Sequence, residues 1–436
     1  MSGSLAQPAP PVSVLRHRGF RLLLVDRLLA PFATAVSLVG VTFAVLDLTG
    51  SVSDLSYVLA AQIAPALIFM PVSGVVADRF RPQYVIAASC LLGAVCEGTL
   101  GFLLLTGDAR IWQIMVLESG TGTALALILP ASTALLPRLV PDAALQQANA
   151  VSRLVMNAAT AAGGAFAGVT VAALGPGWAL TADAAGMFAA VVPNLLIRTA
   201  GHRTARSPAL LRELREGWRE FRSHTWLWVI VLQYSLVFMA RSCGYGVLGP
   251  VVAKTHLGGS AAWGEILVAE ALGLVAGGIA AMRFTSRHPM RFVALCGAAT
   301  AAPTLAMALL LPLWAICASS FVTGALVEVM MVQWNVVMAR TIPPDKLARV
   351  GSYDMLGTVM ATPLGALLAG PLAAGIGIRP AQFAVVILIV AVSIPALAPP
   401  EIRTWRGPSA PEAPLPAAVG VEAERVAAGS TGVRLG

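Results

Sequence analysis

The chain has 436 residues, of which 57% are hydrophobic and only 11% charged, whereas a water-soluble protein carries about a quarter charged residues. The net charge of +8 comes from Arg residues set in short pieces between apolar runs, with no basic domain, so nucleic acid is excluded as a partner. The five cysteines (Cys90, Cys96, Cys243, Cys296 and Cys317) all lie inside apolar runs, which argues against a disulfide or metal framework.

Lipid is the solvent such a composition fits, and each helical crossing takes about 20 apolar residues. Residues 1–19 are polar and Pro-rich, lack the apolar core of a cleaved leader, and predict a short cytoplasmic segment. Apolar runs then predict spanning helices at 20–47, 55–77, 84–106, 111–136, 154–174 and 178–197, a first six-helix bundle over 20–197. The stretch 198–225 contains "LLRELREGWREFRSHTW". Leu211, Leu214, Trp218 and Phe221 share one helical face there, with Arg and Glu on the rest, which predicts an amphipathic linker on the membrane surface. Six further runs, at 226–253, 261–282, 291–311, 313–339, 352–374 and 380–398, predict a second bundle over 226–398. The remainder, 399–436, is rich in Pro, Ala and Glu and predicts a disordered cytoplasmic tail.

Basic residues set the orientation. Between predicted helices they fall almost entirely on the side of the two chain ends; only Arg110, Lys254 and Arg379 lie opposite. Both termini are therefore expected in the cytoplasm, which requires an even number of spans. The chain also repeats. "RLVPDAAL" (138–145) matches "RTIPPDKL" (340–347) at an offset of 202, and "GVVADR" (74–79) matches "GIAAMR" (278–283) at an offset of 204. Two matches at nearly one offset predict two six-helix halves.

"GVVADRFRPQ" (74–83) resembles the loop motif of the major facilitator superfamily, Gly-x-x-x-Asp-Arg-x-Gly-Arg-Arg. Gly74, Asp78 and Arg79 match; Arg81 replaces the usual Gly, and Pro82 and Gln83 the usual basic pair. "PRLVPDAALQQANA" and "IPPDKLARVGSYDMLGT" resemble the drug-efflux branch with macrolide and enterobactin exporters. The resemblance implies an all-α membrane fold: twelve transmembrane helices in two six-helix bundles related by pseudo-two-fold symmetry. It also implies that Asp78 sits beside the N-terminal end of helix 11 near Gly351, where the helix dipole favours a carboxylate by about 0.3–1 kcal/mol. Gly74, Asp78, Arg79 and Arg81 would then form a latch favouring the outward-facing state. Helices 5 and 8 carry Gly164-x-x-x-Gly168 and Gly273-x-x-x-Gly277, a spacing that lets backbones approach. In the family fold these helices face each other across the halves.

An ionisable residue inside a span costs about 2.5–3.5 kcal/mol on insertion scales and by default suggests function. In the fold implied by the resemblance, helices 1, 4, 7 and 10 line a central cavity, and each has a candidate: Asp26 with Arg27, Glu118, Arg241 and Glu328. Glu270 lies mid-span in helix 8 and Glu97 in helix 3. Tyr234, Phe238, Arg241 and Tyr245 share a face of helix 7; Phe321, Gly324, Glu328, Met331 and Asn335 share one of helix 10. Aromatic and Met side chains around a few polar groups suit an amphipathic small molecule. For single residues, plain packing or a structural Arg241–Glu328 ion pair is the competing reading.

No Gly-Lys-Ser/Thr phosphate loop occurs and no His falls mid-span. No enzyme activity, cofactor or metal is expected, and any proton coupling must use carboxylates. Burial favours a neutral carboxyl group and a nearby Arg the charged one. Glu328 and Glu270, alternately near and far from Arg241, would load and release a proton. The expected protein is a monomeric exporter of amphipathic drug-, antibiotic- or siderophore-like molecules in the cell membrane. The alternative is a gradient-driven or facilitative importer of a small metabolite.

Overall fold

The computed structural model describes residues 11–141, 144–198, 218–219, 221–284, 286, 288–342 and 344–404. Among them twelve long helices follow one another. They are α1 Arg18–Thr49, α2 Val52–Arg79, α3 Pro82–Thr106, α4 Ile111–Leu135, α5 Leu145–Leu174 and α6 Pro176–Leu196. The second half holds α7 Thr225–Leu257, α8 Ser260–Ala281, α9 Pro289–Ala308, α10 Leu313–Thr341, α11 Pro344–Ile376 and α12 Ile378–Ser393. Ten of them are long and apolar enough to cross a membrane; α2 and α11 are of similar length. Large apolar side chains such as Phe102, Trp112, Phe188, Trp314 and Ile387 are left exposed, as a lipid-facing surface requires.

Within each half, short connections join successive helices and make neighbours run antiparallel. Gly175 opens α6 at φ 92°, ψ 166°, and Gly377 opens α12 at φ 88°, ψ 162°. These left-handed-side values favour glycine, and the two turns stand 202 residues apart, the offset of the sequence repeat. The face at which α1 begins is called proximal below, the opposite face distal.

The cores differ at the two faces. Proximally each half has its own. Phe20, Leu23, Ile86, Leu135 and Ala148 cluster in the first, and Leu227, Ile230, Val293, Val337 and Val350 in the second. Distally the halves fuse. Leu46, Leu55 and Leu59 share a cluster with Val247, Val251 and Ala369, and Val36, Val39 and Ala167 share one with Val252, Trp263 and Ile266. Among the described residues, then, the halves share cores at the distal end and have separate ones at the proximal end.

Several boundaries differ from the sequence expectation. Helix α5 begins at Leu145 rather than 154 and α11 at Pro344 rather than 352. Apolar runs mark only hydrocarbon, whereas these helices continue into the polar layer because Ala148 and Val350 still pack on the proximal cores. The tail is not wholly without structure. A short helix Pro400–Thr404 buries Ile402, and Glu401 Oε2 accepts the backbone N–H of Trp226 at 3.2 Å, capping the start of α7. Most of the expected 198–225 linker and the tail beyond residue 404 lie outside the described residues; Trp218 and Phe221 do stack, at 5.7 Å.

Candidate functional site

Among the described residues, two cavities lie between the halves, one above the other. The proximal one, of about 470 Å³, is lined by α1, α4, α5 and α8, with Asp26, Arg27, Met156, Thr160 and Glu270 among its walls. The distal one, of about 280 Å³, is lined by α1, α2, α7, α8 and α11, with Gln62, Phe238, Arg241, Tyr245 and Trp263. Leu38 and Leu267 belong to both walls. At this junction Arg241 and Glu270 form an ion pair, Glu270 facing the proximal cavity and Arg241 the distal one.

The backbone of α7 explains how Arg241 reaches this point. Pro250 has no N–H and cannot bond the carbonyl one turn back, and the preceding turns relax into a π-helical segment, Ser242–Val247. Gly244 fits because a Cβ there would stand 2.7 Å from Val385 and 2.9 Å from Thr304. The widened turn brings the Arg241 guanidinium over the Tyr245 ring, 4.4 Å from its centroid, and Tyr245 packs on Trp263 at 5.2 Å.

The expected single face of α7 is thereby split. Phe238, Arg241 and Tyr245 line the distal cavity, but Tyr234 turns to α9 and donates its hydroxyl to the Val293 carbonyl at 2.7 Å. A buried phenol needs an acceptor, and α9 supplies it. The expected α10 face divides as well. Phe321 and Asn335 are exposed, Met331 packs on the proximal core of the second half, and none of the three lines either cavity. Glu328 pairs across the halves, with Arg153 of α5 at 3.9 Å, and not with Arg241.

At the proximal cavity Asp26 is buried and accepts from Asn194 Nδ2 at 2.6 Å; Arg27 reaches the Ser132 carbonyl and Met156 Sδ, each at 3.5 Å. Glu118 lines neither cavity. It is fully buried inside the first half, where Gln62 Nε2 donates to its Oε2 at 2.7 Å. Glu97 is buried beside it, and Asp183 of α6, which apolar periodicity does not single out, faces the same interior.

The glycine pairing is half as expected. On α5, Gly164 and Gly168 do meet α8, where a Cβ at Gly168 would stand 2.9 Å from Gly264 Cα and from the Ser260 carbonyl. Gly273 and Gly277, however, face α10 within the second half, beneath the Phe321 and Ala325 carbonyls. In the loop motif, Asp78 and Arg79 end α2, and Arg81 is exposed at the start of α3. Side-chain placement at Gly74, Asp78 and Arg79 lies outside the described residues.

Residues 9–420 match the family described as Transmembrane secretion effector. The chain belongs to the major facilitator superfamily. It is similar to the multidrug efflux pump Tap of Mycobacterium tuberculosis (strain ATCC 25618 / H37Rv), 28% identical over 88% of this chain and 93% of that protein. It is similar also to macrolide efflux protein A of Streptococcus pyogenes, 22% identical over 79% of this chain and 87% of the other. Its fold matches a bacterial homologue of the human lysosomal transporter Spinster in an inward-facing, unoccupied conformation. That match has a TM-score of 0.66 at 16% identity, over 90% of this chain and 99% of that one. This major facilitator protein is thus a multi-pass membrane transporter and not an enzyme.

Proposed function

We propose that this transporter exports amphipathic small molecules by alternating access, in exchange for protons. The observation that carries the reading is the cavity of about 470 Å³ that is blocked towards the distal face by the Arg241–Glu270 pair and the fused core. Its walls are mainly apolar with Asp26, Arg27 and Glu270 as the charged groups, which suits a ligand with one polar end. The basic residues make the proximal face cytoplasmic, so that this conformation faces inward. The twelve helices then form two six-helix bundles that rock about the junction, and both termini are cytoplasmic. Export is favoured over import because the similar proteins named above are efflux proteins.

Opening to the distal side must separate Gly168 from Gly264 and close the proximal cleft. In that closed state Asp78, which lies in the last turn of α2, meets the N-terminal end of α11 as a latch in this reading. Small molecules and protons are the partners, in a monomer.

Everted membrane vesicles test the reading, using ethidium as a fluorescent amphipathic cation and a macrolide as a second probe. Uptake into the vesicles that rises when the lumen is acidified supports proton-coupled export. Counterflow that ignores the pH gradient supports facilitated movement, and concentration in the opposite sense supports the import reading. Reporter fusions at the two chain ends test the topology.

A further inference from the structure

We propose that Glu97, Glu118 and Asp183 form a proton-binding site inside the first half of the transporter, reached from the distal cavity through Gln62. The proposal rests on the proton-exchange reading above and locates the proton.

The three groups lie on α3, α4 and α6, and each is fully buried. Glu97 Oε1 accepts from Ser37 Oγ of α1 at 2.9 Å and from Thr121 Oγ1 of α4 at 3.2 Å. Glu118 Oε2 accepts from Gln62 of α2. Asp183 adds a separate observation: both of its oxygens are buried, accept no hydrogen bond, and lie within electrostatic reach of the other two groups. Glu97 Oε2 and Glu118 Oε1 are likewise without a donor. Among the described residues no Lys, Arg or His forms an ion pair with any of the three. Among the described residues the other ionisable group facing them is the Cys96 thiol. Asp26 and Arg27 lie about three turns away along α1.

Several buried carboxylates without a cation are costly, and each orphan oxygen adds to the cost. A proton lowers the first penalty: one oxygen gains H⁺, the group loses its charge, and the repulsion among the three acids falls. A metal ion does not suit the site, because the carboxyl groups do not converge on a point where one could be held.

Internal repetition shows that packing alone does not require an acid at the Glu97 position. Thr121 and Thr323 stand 202 residues apart, and each hydroxyl crosses to the preceding helix. Thr121 meets the Glu97 carboxylate; Thr323 meets the backbone carbonyl of Ala299. Gly122 and Gly324 share the same offset. Gly122 lies against the Gln62 carbonyl and Gly324 against the Glu270 carbonyl. The second half therefore closes its version of the interface with Ala299 where the first has Glu97. Gln62 and Glu270 thus hold corresponding places by packing; Gln62 bonds Glu118 within the first half, and Glu270 bonds Arg241. Gln62 and Arg241 both border the distal cavity, so the buried acids communicate with the compartment that opens opposite to the ligand cavity.

The test uses the full chain reconstituted in liposomes and the isosteric variants Glu118→Gln, Asp183→Asn and the two combined. Infrared difference spectra between acid and alkaline buffer read protonated carboxyl groups directly, without a transported ligand. The expected result is a carbonyl band in the wild type that is lost in the double variant. pH-driven ethidium efflux is expected to fall roughly tenfold or more, while ethidium counterflow stays within about twofold of wild type. A band that titrates unchanged in the double variant, or pH-driven efflux within about twofold of wild type, overturns the proposal. Loss of counterflow together with efflux, at an unchanged band, also overturns it. If the double variant does not fold, Gln62→Leu decides: it keeps all three acids, and the proposal requires slower proton uptake after a pH jump and fails if the rate is unaltered. A wild type that shows the band but no pH-driven efflux refutes proton exchange as the function, and leaves the proton site standing.

Discussion

Glu328 of α10 stands 3.9 Å from Arg153 of α5, joining the two halves of the chain on the side where their cores are separate. Arg153 is 58% exposed, so the pair contributes at most about 1 kcal/mol. On the alternating-access reading its importance is conformational, because it bridges elements that then move apart and together. Arg153→Glu sets two like charges against each other and is expected to lower ethidium efflux in cells. The exchange Arg153→Glu with Glu328→Arg is expected to recover it. Thermal unfolding should change little in either. An exchange no better than the single variant shows that the contact has no such role.

Arg241 and Glu270 call for the opposite energetic expectation. Their side chains are only 16% and 17% exposed. Removing one partner of a buried pair strands the other charge, at a cost of about 3–5 kcal/mol in the limit of full burial and less here, about 2–3 kcal/mol. Arg241→Gln and Glu270→Gln should each lower the unfolding midpoint in detergent, and the double variant should be more stable than either single one. Arg241→Lys keeps the charge but loses planar stacking on Tyr245, so its stability should fall between wild type and Arg241→Gln. Equal losses that simply add in the double variant mean that the two side chains act independently.

These two pairs show what the sequence could and could not say. Spacing put Arg241, Glu270 and Glu328 at mid-span, but periodicity does not say which helix faces which, and the π segment after Arg241 shifts the register of α7. Arg153 was lost because the apolar run of α5 starts one residue later, although the helix itself starts at Leu145. Asp183 sits alone in an apolar stretch of a helix not expected to line the centre. Its partners on α3 and α4 are distant in the chain, and only packing brings them together. Glycine spacing had a similar limit. Gly164 and Gly168 marked a close approach, but the answering glycine is Gly264, while Gly273 and Gly277 serve a contact inside the second half.

Asn194 is expected to be needed for Asp26. It is fully buried on α6 and its amide donates to Asp26 Oδ1 at 2.6 Å. Asn194→Leu fills similar space but removes the donor, leaving a buried carboxyl oxygen unsatisfied at a cost of about 1–3 kcal/mol. Asn194→Leu combined with Asp26→Leu removes both polar groups and should recover most of that loss. The unfolding midpoints of the two variants measure it. No recovery in the double variant means that Asp26 relies on other partners.

The distal seal is expected to be steric and not ionic. Lys254 and Asp47 bridge α7 and α1 at that face, but their side chains are 33% and 49% exposed. Such a pair contributes at most about 1 kcal/mol and is screened by salt. The α5–α8 contact is different. A Cβ at Gly264 would stand 3.0 Å from both the Gly164 carbonyl and Gly168 Cα, positions set by backbone that cannot step aside as a flexible side chain can. Gly264→Val should therefore hold the halves apart distally, while Asp47→Asn should leave them closed. A cysteine introduced at Thr42, on the wall of the distal cavity, reports the difference. In whole cells it should react faster with a membrane-impermeant maleimide in the Gly264→Val background and at the wild-type rate in the Asp47→Asn background. Transport should fall in the first and persist in the second. Faster labelling on Asp47→Asn alone would move the seal from the glycine contact to the ion pair.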